Sequence, residues 1–170
     1  SQWEYQVGPC NALDVCDHLW VARYLMEKLA EKEGLYIMLD PKPIAGDWNG
    51  SGAHINFSSK YMRDEANLDD IYRICIEFGK YREELLSCYG KGNQHRLTGH
   101  HETAHIDNYT WGVSDRGASI RIPMSTANRG RGHLEDRRPA ANIDPYEAVG
   151  AITKYMSIVE KEVAQPALFV

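Results

Sequence analysis

The 170-residue sequence lacks several features that would assign it to a class of protein at once. It has no apolar run approaching the roughly 20 residues that a membrane span needs, so no association with a membrane is expected. Its 19 basic residues are outnumbered by 24 acidic ones, and the formal charge of −5 argues against a general affinity for nucleic acid. It also has no signal peptide and no initiating methionine, and we therefore expect the chain to be part of something longer.

The four cysteines lack any spacing that would predict a metal site or a redox pair. They form no C-x-x-C motif and no zinc-ligand pattern, and they stand at Cys10, Cys16, Cys75 and Cys88. Reduced, buried thiols of a cytosolic protein are therefore expected. A content of 43% hydrophobic and 25% charged residues is that of one soluble globular domain, long enough to bury a core.

Hydrophobic periodicity predicts a single α+β domain with long helices. Strand patterns fall on residues 2–8, 35–40, 53–58 and 118–123, and helical patterns fall on about 15–33, 68–89 and 145–163. The second helical pattern has one apolar stripe, formed by Ile71, Cys75, Phe78, Tyr81 and Leu85. Asp14 is predicted to cap the first helix and Gly34 to end it, with Val21, Leu25 and Leu29 as its apolar stripe. Residues 41–52 and 90–109 indicate shaped loops, and residues 124–133 indicate a mobile basic loop.

The segment GHLEDRRPAANIDP, residues 132–145, places two acids directly before two arginines and a proline. On a strand, Glu135 and Arg137 would share one side, while Asp136 and Arg138 would take the other. The segment would then present one acid and one guanidinium to a single cleft. That arrangement suits a metal beside a phosphate, and it suits an ordinary surface ion pair equally well.

Three acidic or imidazole side chains occupy strand-like positions between apolar residues. They are Glu4, His54 and Glu135. Carboxylates and imidazole suit Mg²⁺ or Mn²⁺ better than zinc, which more often recruits cysteine. The alternative is that each is a half-exposed residue of the sheet.

Arginines and a histidine-rich loop form a second candidate set. The arginines are Arg96, Arg116, Arg121, Arg129, Arg131, Arg137 and Arg138. Clustered guanidinium groups near acids predict an anionic substrate, and a solvated basic face is the alternative. The loop HHET offers His101 and Glu102 as a general base that closes over a site, or it is a neutral surface loop. The residues alone thus predict an enzyme half-site for a divalent metal, a phosphate and a small carboxylate.

Taken together, the motifs resemble glutamine synthetase of the eukaryotic-like type. The segments that carry the resemblance are QWEYQVGP, DHLWVAR, DPKPIAGDWNGSGAHINFS, RLTGHHET, DRGASIRIP and LEDRRPAANIDP. The resemblance implies that residues 1–170 are the C-terminal part of the catalytic domain, with its antiparallel sheet flanked by long helices in a glutamine synthetase/guanido kinase-like fold. The resemblance also implies that residues 1–170 do not include the family's N-terminal β-grasp domain.

The resemblance implies a role for each matching residue. The implied metal ligands are Glu4, His54 and Glu135. The implied glutamate-binding residues are Asp47, Trp48, Asn49, Gly50, Arg96, Arg116 and Arg137. The implied ATP-binding residues are Asn56, Phe57, Ser58, Arg116, Arg121 and His133. The implied catalytic residues are Glu102, Arg116 and Arg137, and Arg138 would support the phosphoryl region.

The chain departs from the family pattern at a few of these positions. His133 stands where an aromatic residue usually faces the adenine, and Asp47 stands where an asparagine is common. The sequence HHET replaces the more usual Phe-His-Glu-Thr, and the loop at residues 90–95 is shorter than expected.

The resemblance implies ATP-dependent ligation of ammonia to L-glutamate through γ-glutamyl phosphate, with Mg²⁺ or Mn²⁺ as cofactor and ATP as co-substrate. It also implies a cytoplasmic homo-oligomeric ring. The alternatives are a related γ-glutamyl-amine ligase and a non-catalytic fragment or assembly module that retains the fold. The isolated 170-residue chain is expected to be inactive.

Overall fold

A computed structural model of the chain describes residues 2–164. Its helices are α1 (Ala12–Lys32), α2 (Lys60–Asp64), α3 (Leu68–Phe78), α4 (Arg82–Ser87), α5 (Met124–Arg129) and α6 (Pro145–Ala164). Its strands are β1 (Ile55–Phe57), β2 (Trp111–Val113), β3 (Ile120–Ile122) and β4 (Leu134–Asp136). Single 3₁₀ turns lie at Gly79–Tyr81 and Asn93–His95.

The four strands form one sheet in the order β1-β4-β3-β2, so β4 has a neighbour on both sides. β4 runs antiparallel to both β1 and β3, as expected, whereas β2 and β3 run parallel, which makes the sheet mixed. The predicted α+β class is confirmed.

The core lies where α3 and α6 pack together against one face of the sheet. α3 begins with a capping box, in which Asn67 and Asp70 satisfy each other's backbone N–H groups. Its stripe of Ile71, Cys75 and Phe78 is fully buried, as predicted. In α6, which matches its predicted range, Ile152 and Val159 are among the residues that pack on the same core.

The predicted helix over 68–89 is interrupted at Gly79. The ring of Tyr109 packs against this glycine, and a Cβ there would lie 2.5 Å from Tyr109 Cε1. The chain passes this contact in a 3₁₀ turn and resumes as α4. Residues 124–133, predicted to be a loop, instead contain α5, which buries Thr126 and ends at the left-handed Gly130. The loop prediction for these residues is wrong at α5.

Helix α1 begins earlier than predicted because Asn11, not Asp14, is its N-cap. The Asn11 side chain accepts from the backbone N–H groups of Leu13 and Asp14. Gly34, with φ of +66°, follows the C-cap as predicted.

The predicted apolar stripe of α1 does not face the core. Its members Val21, Leu25 and Leu29 are more than half exposed. The helix instead packs on α6 through a different face, on which Cys16 and Arg23 are buried. The guanidinium of Arg23 donates to the backbone carbonyls of residues 141 and 143 at 2.9 Å.

The strands predicted at residues 2–8 and 35–40 are absent. Neither segment joins the sheet, and large side chains on both are exposed, including Trp3 at 96% and Tyr36 at 85%. Alternation marks a segment that suits a sheet face, but a strand forms only where a neighbour satisfies its backbone groups. Within residues 2–164 these two segments have no such neighbour.

No helix within residues 2–164 combines the length and the apolar character needed to cross a bilayer.

Candidate functional site

The central strand β4 separates two sets of charged side chains, one on each face of the sheet. Asn56 of β1 and Arg121 of β3 lie opposite Glu135 in register and share its face. Isoleucines of the same strands lie opposite Asp136, and that face packs on the core. The alternation predicted for residues 135–138 is therefore present.

On the core face, Asp136 and Arg138 form a buried ion pair. Arg138 Nη2 lies 2.6 Å from Asp136 Oδ2, and the Tyr89 hydroxyl donates to the same oxygen at 2.6 Å. The guanidinium of Arg138 also lies 5.2 Å from the ring centroids of Tyr89 and Tyr109. Arg138 thus stabilises β4 from the core face, opposite the face that carries Glu135, and its support of the phosphoryl region stays a prediction.

On the other face, the carboxylate of Glu135 is contacted by three side chains. His54 Nδ1 lies 3.2 Å and Arg137 Nη1 3.0 Å from Oε1, while Arg121 Nη1 lies 3.1 Å from Oε2. Burial acts to raise the pKa of Glu135, but the hydrogen bond from His54 and the charges of Arg137 and Arg121 lower it to about 2. Glu135 is therefore an ionised carboxylate that holds two guanidinium groups and an imidazole around one point.

Arg96 contacts this cluster and packs against the loop at residues 41–52. Its Nη2 lies 3.3 Å from His54 Nε2 and 3.0 Å from the carbonyl oxygen of Arg137, and its Nη1 donates to the carbonyl oxygen of Arg138. Burial and the charge of Arg137 lower the pKa of Arg96 to about 10, so it stays charged at neutral pH. The guanidinium of Arg96, which was expected to bind a substrate carboxylate, thus donates hydrogen bonds to the backbone carbonyls that follow β4.

Gly50 and Gly52 make room for Arg96. A Cβ at Gly52 would lie 2.3 Å from Arg96 Nη2, and one at Gly50 would lie 2.6 Å from Arg96 Cγ. Real Cβ atoms do not approach other atoms so closely. The glycines of the loop therefore allow an arginine to pack against its backbone, two residues from His54.

Arg137 joins Glu135 to two loops. Its Nε donates to the carbonyl oxygen of Arg116 at 3.0 Å, and its Nη2 donates to that of Glu102 at 3.4 Å. Arg116 Nη1 in turn lies 3.6 Å from Glu102 Oε1. His101 and Glu102 have φ of +53° and +59°, a left-handed conformation that is uncommon outside glycine. The three residues expected to be catalytic therefore lie in one chain of contacts.

The HHET loop also contacts the loop expected to bind glutamate. His101 Nε2 lies 2.9 Å from Asp47 Oδ1. The two loops border an open cleft of about 490 Å³, lined by Lys42, Gly46, Asp47, His95, Thr98, His100 and His101. Trp48 is 62% exposed beside Asp47.

The N-terminal segment contacts the loop at residues 41–52. The sequence patterns did not predict this contact. The Gln2 side-chain amide donates to the carbonyl oxygens of Asn49 at 3.3 Å and Gly50 at 3.0 Å. A glutamine-to-backbone contact across 47 residues leaves no local sequence signal, because any polar side chain of suitable length can make it.

The residues expected to bind the nucleotide are not gathered into one pocket. The Phe57 ring packs on Phe78, with centroids 5.4 Å apart, on the core side. Ser58 Oγ accepts from Arg63 Nη1 at 2.8 Å. Asn56 and His133 are exposed. These assignments stay predictions.

The predicted metal triad is only partly assembled. His54 and Glu135 are together, but Glu4 is exposed, and residues 2–164 contain no cluster of three His, Cys, Asp or Glu side chains that could hold a metal. The two donors suit Mg²⁺ or Mn²⁺ in kind, yet such an ion needs about six ligands, and the donor atoms of both are engaged by Arg or by each other. The described residues thus do not fit a complete metal site.

Comparison with known proteins shows what the chain is similar to. Residues 1–71 match the family model described as "Glutamine synthetase, catalytic domain". The chain is 48% identical over 168 residues to a chloroplastic glutamine synthetase of Daucus carota, covering 99% of this chain and 39% of that protein. It is 49% identical to the cytosolic isozyme 1-1 of Arabidopsis thaliana, covering 91% of this chain and 43% of that protein.

A third relative is a glutamine synthetase of the fungus Amanita muscaria, 51% identical over 152 residues, or 89% of this chain and 43% of that protein. The chain thus spans about two fifths of the length of the curated relatives it matches. The resemblance stated from the motifs is confirmed.

Proposed function

We propose that this chain, which belongs to the glutamine synthetase family, forms part of a site that ligates ammonia to L-glutamate with ATP. The observation that carries the proposal is the convergence of Arg121, Arg137 and His54 on Glu135, with Glu102 linked to the same group through Arg137. A fixed set of guanidinium groups is what transfer of a phosphoryl group needs, because charge spreads over its oxygens in the transition state.

In the proposed reaction the γ-carboxylate of glutamate attacks the γ-phosphorus of ATP, and ADP leaves. Arg121 and Arg137 stabilise the negative charge of the transferring group, since both keep N–H donors in addition to those held by Glu135. Glu135 keeps these arginines in place and compensates their repulsion. The product of this step is γ-glutamyl phosphate.

Glu102 acts in the second step. It accepts a proton from ammonium, and the resulting ammonia attacks the acyl phosphate and displaces phosphate. The HHET loop carrying Glu102 would exclude water, which would otherwise hydrolyse the acyl phosphate. The contact of Arg116 with Glu102 would hold the carboxylate over the site until the loop closes.

The cofactor proposal is a divalent cation, Mg²⁺ or Mn²⁺, bound in part by His54 and Glu135. When bound, such an ion would supply charge to the phosphate oxygens. The remaining ligands would come from Glu4 and from residues outside this chain. Assembly into a homo-oligomer is likewise proposed from the family. The matched relatives include both chloroplastic and cytosolic enzymes, and a cytoplasmic location stays a prediction.

The test is Glu135→Gln in the complete enzyme, which keeps the side-chain volume but removes the charge that holds both arginines. Glutamine formation from glutamate, ammonium and ATP should fall at least about tenfold, or roughly 1.4 kcal/mol at the barrier. The exposed Glu83→Gln on α4 is the matched control and should have normal turnover. Normal activity in Glu135→Gln would contradict the proposal, and activity with another amine in place of ammonia would favour the amine-ligase alternative.

A further inference from the structure

The outward face of α1 is apolar at its centre. Val21, Leu25 and Leu29 are each more than half exposed, and the ring of Tyr24 beside them is 59% exposed. A continuous row of large apolar side chains in water is unfavourable, and on a protein surface it marks a place where another apolar surface binds. The row is therefore a candidate interface.

Helix α1 cannot bury this row by turning on the domain. Its opposite face is fixed through Cys16 and Arg23, which are buried and stand two helical turns apart. The Cys16 thiol donates to the carbonyl oxygen of Pro145 at 3.3 Å, and the Arg23 guanidinium donates to two backbone carbonyls of the segment before α6. Rotation would break these buried contacts, so the apolar row stays at the surface.

The row continues toward both ends of α1 as one straight seam, in which successive positions are four or three residues apart. The exposed seam consists of Asp14, His18, Val21, Leu25, Lys28 and Lys32. An acid thus stands at the N-terminal end, lysines stand at the C-terminal end, and apolar side chains lie between them. A seam of this kind is complementary to a copy of itself that runs in the opposite direction, because its acidic end then faces the basic end of the copy.

We propose that α1 pairs with α1 of a second copy of this chain, in antiparallel orientation about a twofold axis midway between Val21 and Leu25. In this register Val21 lies opposite Leu25 of the second copy, and Asp14 lies opposite Lys32 of the second copy. The twofold symmetry makes every contact twice. The inference concerns an assembly surface and does not rest on the proposed function.

The charges of the seam favour this occupant over two others. In a parallel pair Asp14 would face Asp14 and Lys32 would face Lys32, and like charges repel. A helix that binds a membrane surface carries mainly basic residues beside its apolar face, whereas this seam has an acid at one end. Lys28 already lies 2.9 Å from Glu31 of its own helix, so the pairing of Asp14 with Lys32 carries most of the preference for the antiparallel orientation.

Sedimentation equilibrium of the 170-residue chain at low salt measures the association over micromolar to submillimolar concentrations. We expect a monomer–dimer equilibrium. Leu25→Glu places two carboxylates in the apolar centre of the pair and should raise the dissociation constant at least about tenfold. Ile76→Glu is the matched control, since Ile76 is 53% exposed on α3, and it should leave the constant unchanged. Circular dichroism checks that both variants are folded, as expected for replacements at exposed positions.

Charge reversal tests the orientation of the pair. Asp14→Lys or Lys32→Glu alone would place like charges together at both ends, and each should raise the dissociation constant roughly fivefold, the effect of losing two exposed ion pairs. The variant that carries both changes restores opposite charges in the antiparallel register, and its constant should return close to that of the unaltered chain. In a parallel pair each single reversal would only exchange one like-charge pair for another, and the constant would not change.

Several outcomes would overturn the inference. A chain that stays monomeric at every concentration contradicts it, and so does association that is equally strong in Leu25→Glu, which would assign the association to other exposed apolar side chains such as Trp3 and Tyr36. Failure of the double variant to recover contradicts the antiparallel register. A monomeric chain that binds vesicles of anionic lipid, and loses that binding in Leu25→Glu, would assign the face to a membrane surface instead of a second copy.

Discussion

The hydroxyl of Tyr89 donates a 2.6 Å hydrogen bond to the carboxylate of Asp136 in the core beneath β4. Both side chains are fully buried, and Arg138 completes the group. Burial and the negative charge of Asp136 raise the pKa of Tyr89 well above its ordinary value, so the phenol keeps its proton and donates it to Asp136 at neutral pH. This contact fixes the strand whose other face carries Glu135.

Tyr89→Phe should lower the free energy of unfolding by about 1–3 kcal/mol, because it leaves a buried carboxylate oxygen with one donor fewer. Urea unfolding followed by circular dichroism measures the change. Tyr146→Phe is the matched control, since Tyr146 donates to Asp17 at the surface, and its unfolding midpoint should stay unchanged. Equal shifts of the two midpoints would mean that the hydrogen bond from Tyr89 to Asp136 adds nothing to the free energy of unfolding.

Arg137→Lys should reduce glutamine formation by the complete enzyme at least about tenfold, or roughly 1.4 kcal/mol at the barrier. The lysine keeps the charge, but a single ammonium cannot serve Glu135 and both loop carbonyls as the planar fork does. Arg129→Lys, at an exposed position on α5, is the control. Turnover equal to that of the unaltered enzyme would assign Arg137 to packing alone.

Glu102→Ala should impair the use of ammonium far more than the formation of the acyl phosphate, since the proposed task of Glu102 is to take a proton from ammonium. Hydroxylamine arrives unprotonated near neutral pH and should partly restore product formation. Parallel assays with the two nucleophiles measure the difference. The same loss with both would indicate that Glu102 only shapes the loop.

Cys75 should resist alkylation in the folded chain. Burial raises the pKa of its thiol to about 12, so at pH 8 only roughly one molecule in ten thousand carries the reactive thiolate. Cys10 is exposed and should react with iodoacetamide first. Mass spectrometry of peptides after timed labelling measures both rates. Comparable rates without denaturant would contradict the buried position of Cys75.

Residues whose environment is set by near neighbours in sequence could be predicted. Alternation alone put Glu135 and Arg137 on one face of a strand, and the apolar period put Ile71, Cys75 and Phe78 in the core. Both patterns rest on the geometry of a single element, which the local sequence determines.

Features that depend on distant contacts could not be predicted. Gly79 interrupts a helical pattern because of a tyrosine ring 30 residues away in sequence. The stripe containing Leu25 is exposed because the face of α1 that packs inward is the one on which Cys16 and Arg23 are buried. The internal role of Arg96 was also missed, because its partners are backbone carbonyls, which every sequence has. The sequence pattern that would indicate such a contact is a glycine at position 52 together with an arginine at position 96.

The short length of β4 limits which insertions and deletions this segment tolerates. The strand has three residues, and two of them are charged and point to opposite faces of the sheet. Asp136 forms the buried ion pair with Arg138 on the core face, and its neighbour Glu135 pairs with Arg137 on the other face. Deleting or inserting a single residue within β4 would turn Asp136 outward and Glu135 into the apolar core, so both sets of charges would lose their partners together. Loops at either end of the strand can vary in length, whereas the spacing from Leu134 to Arg138 cannot.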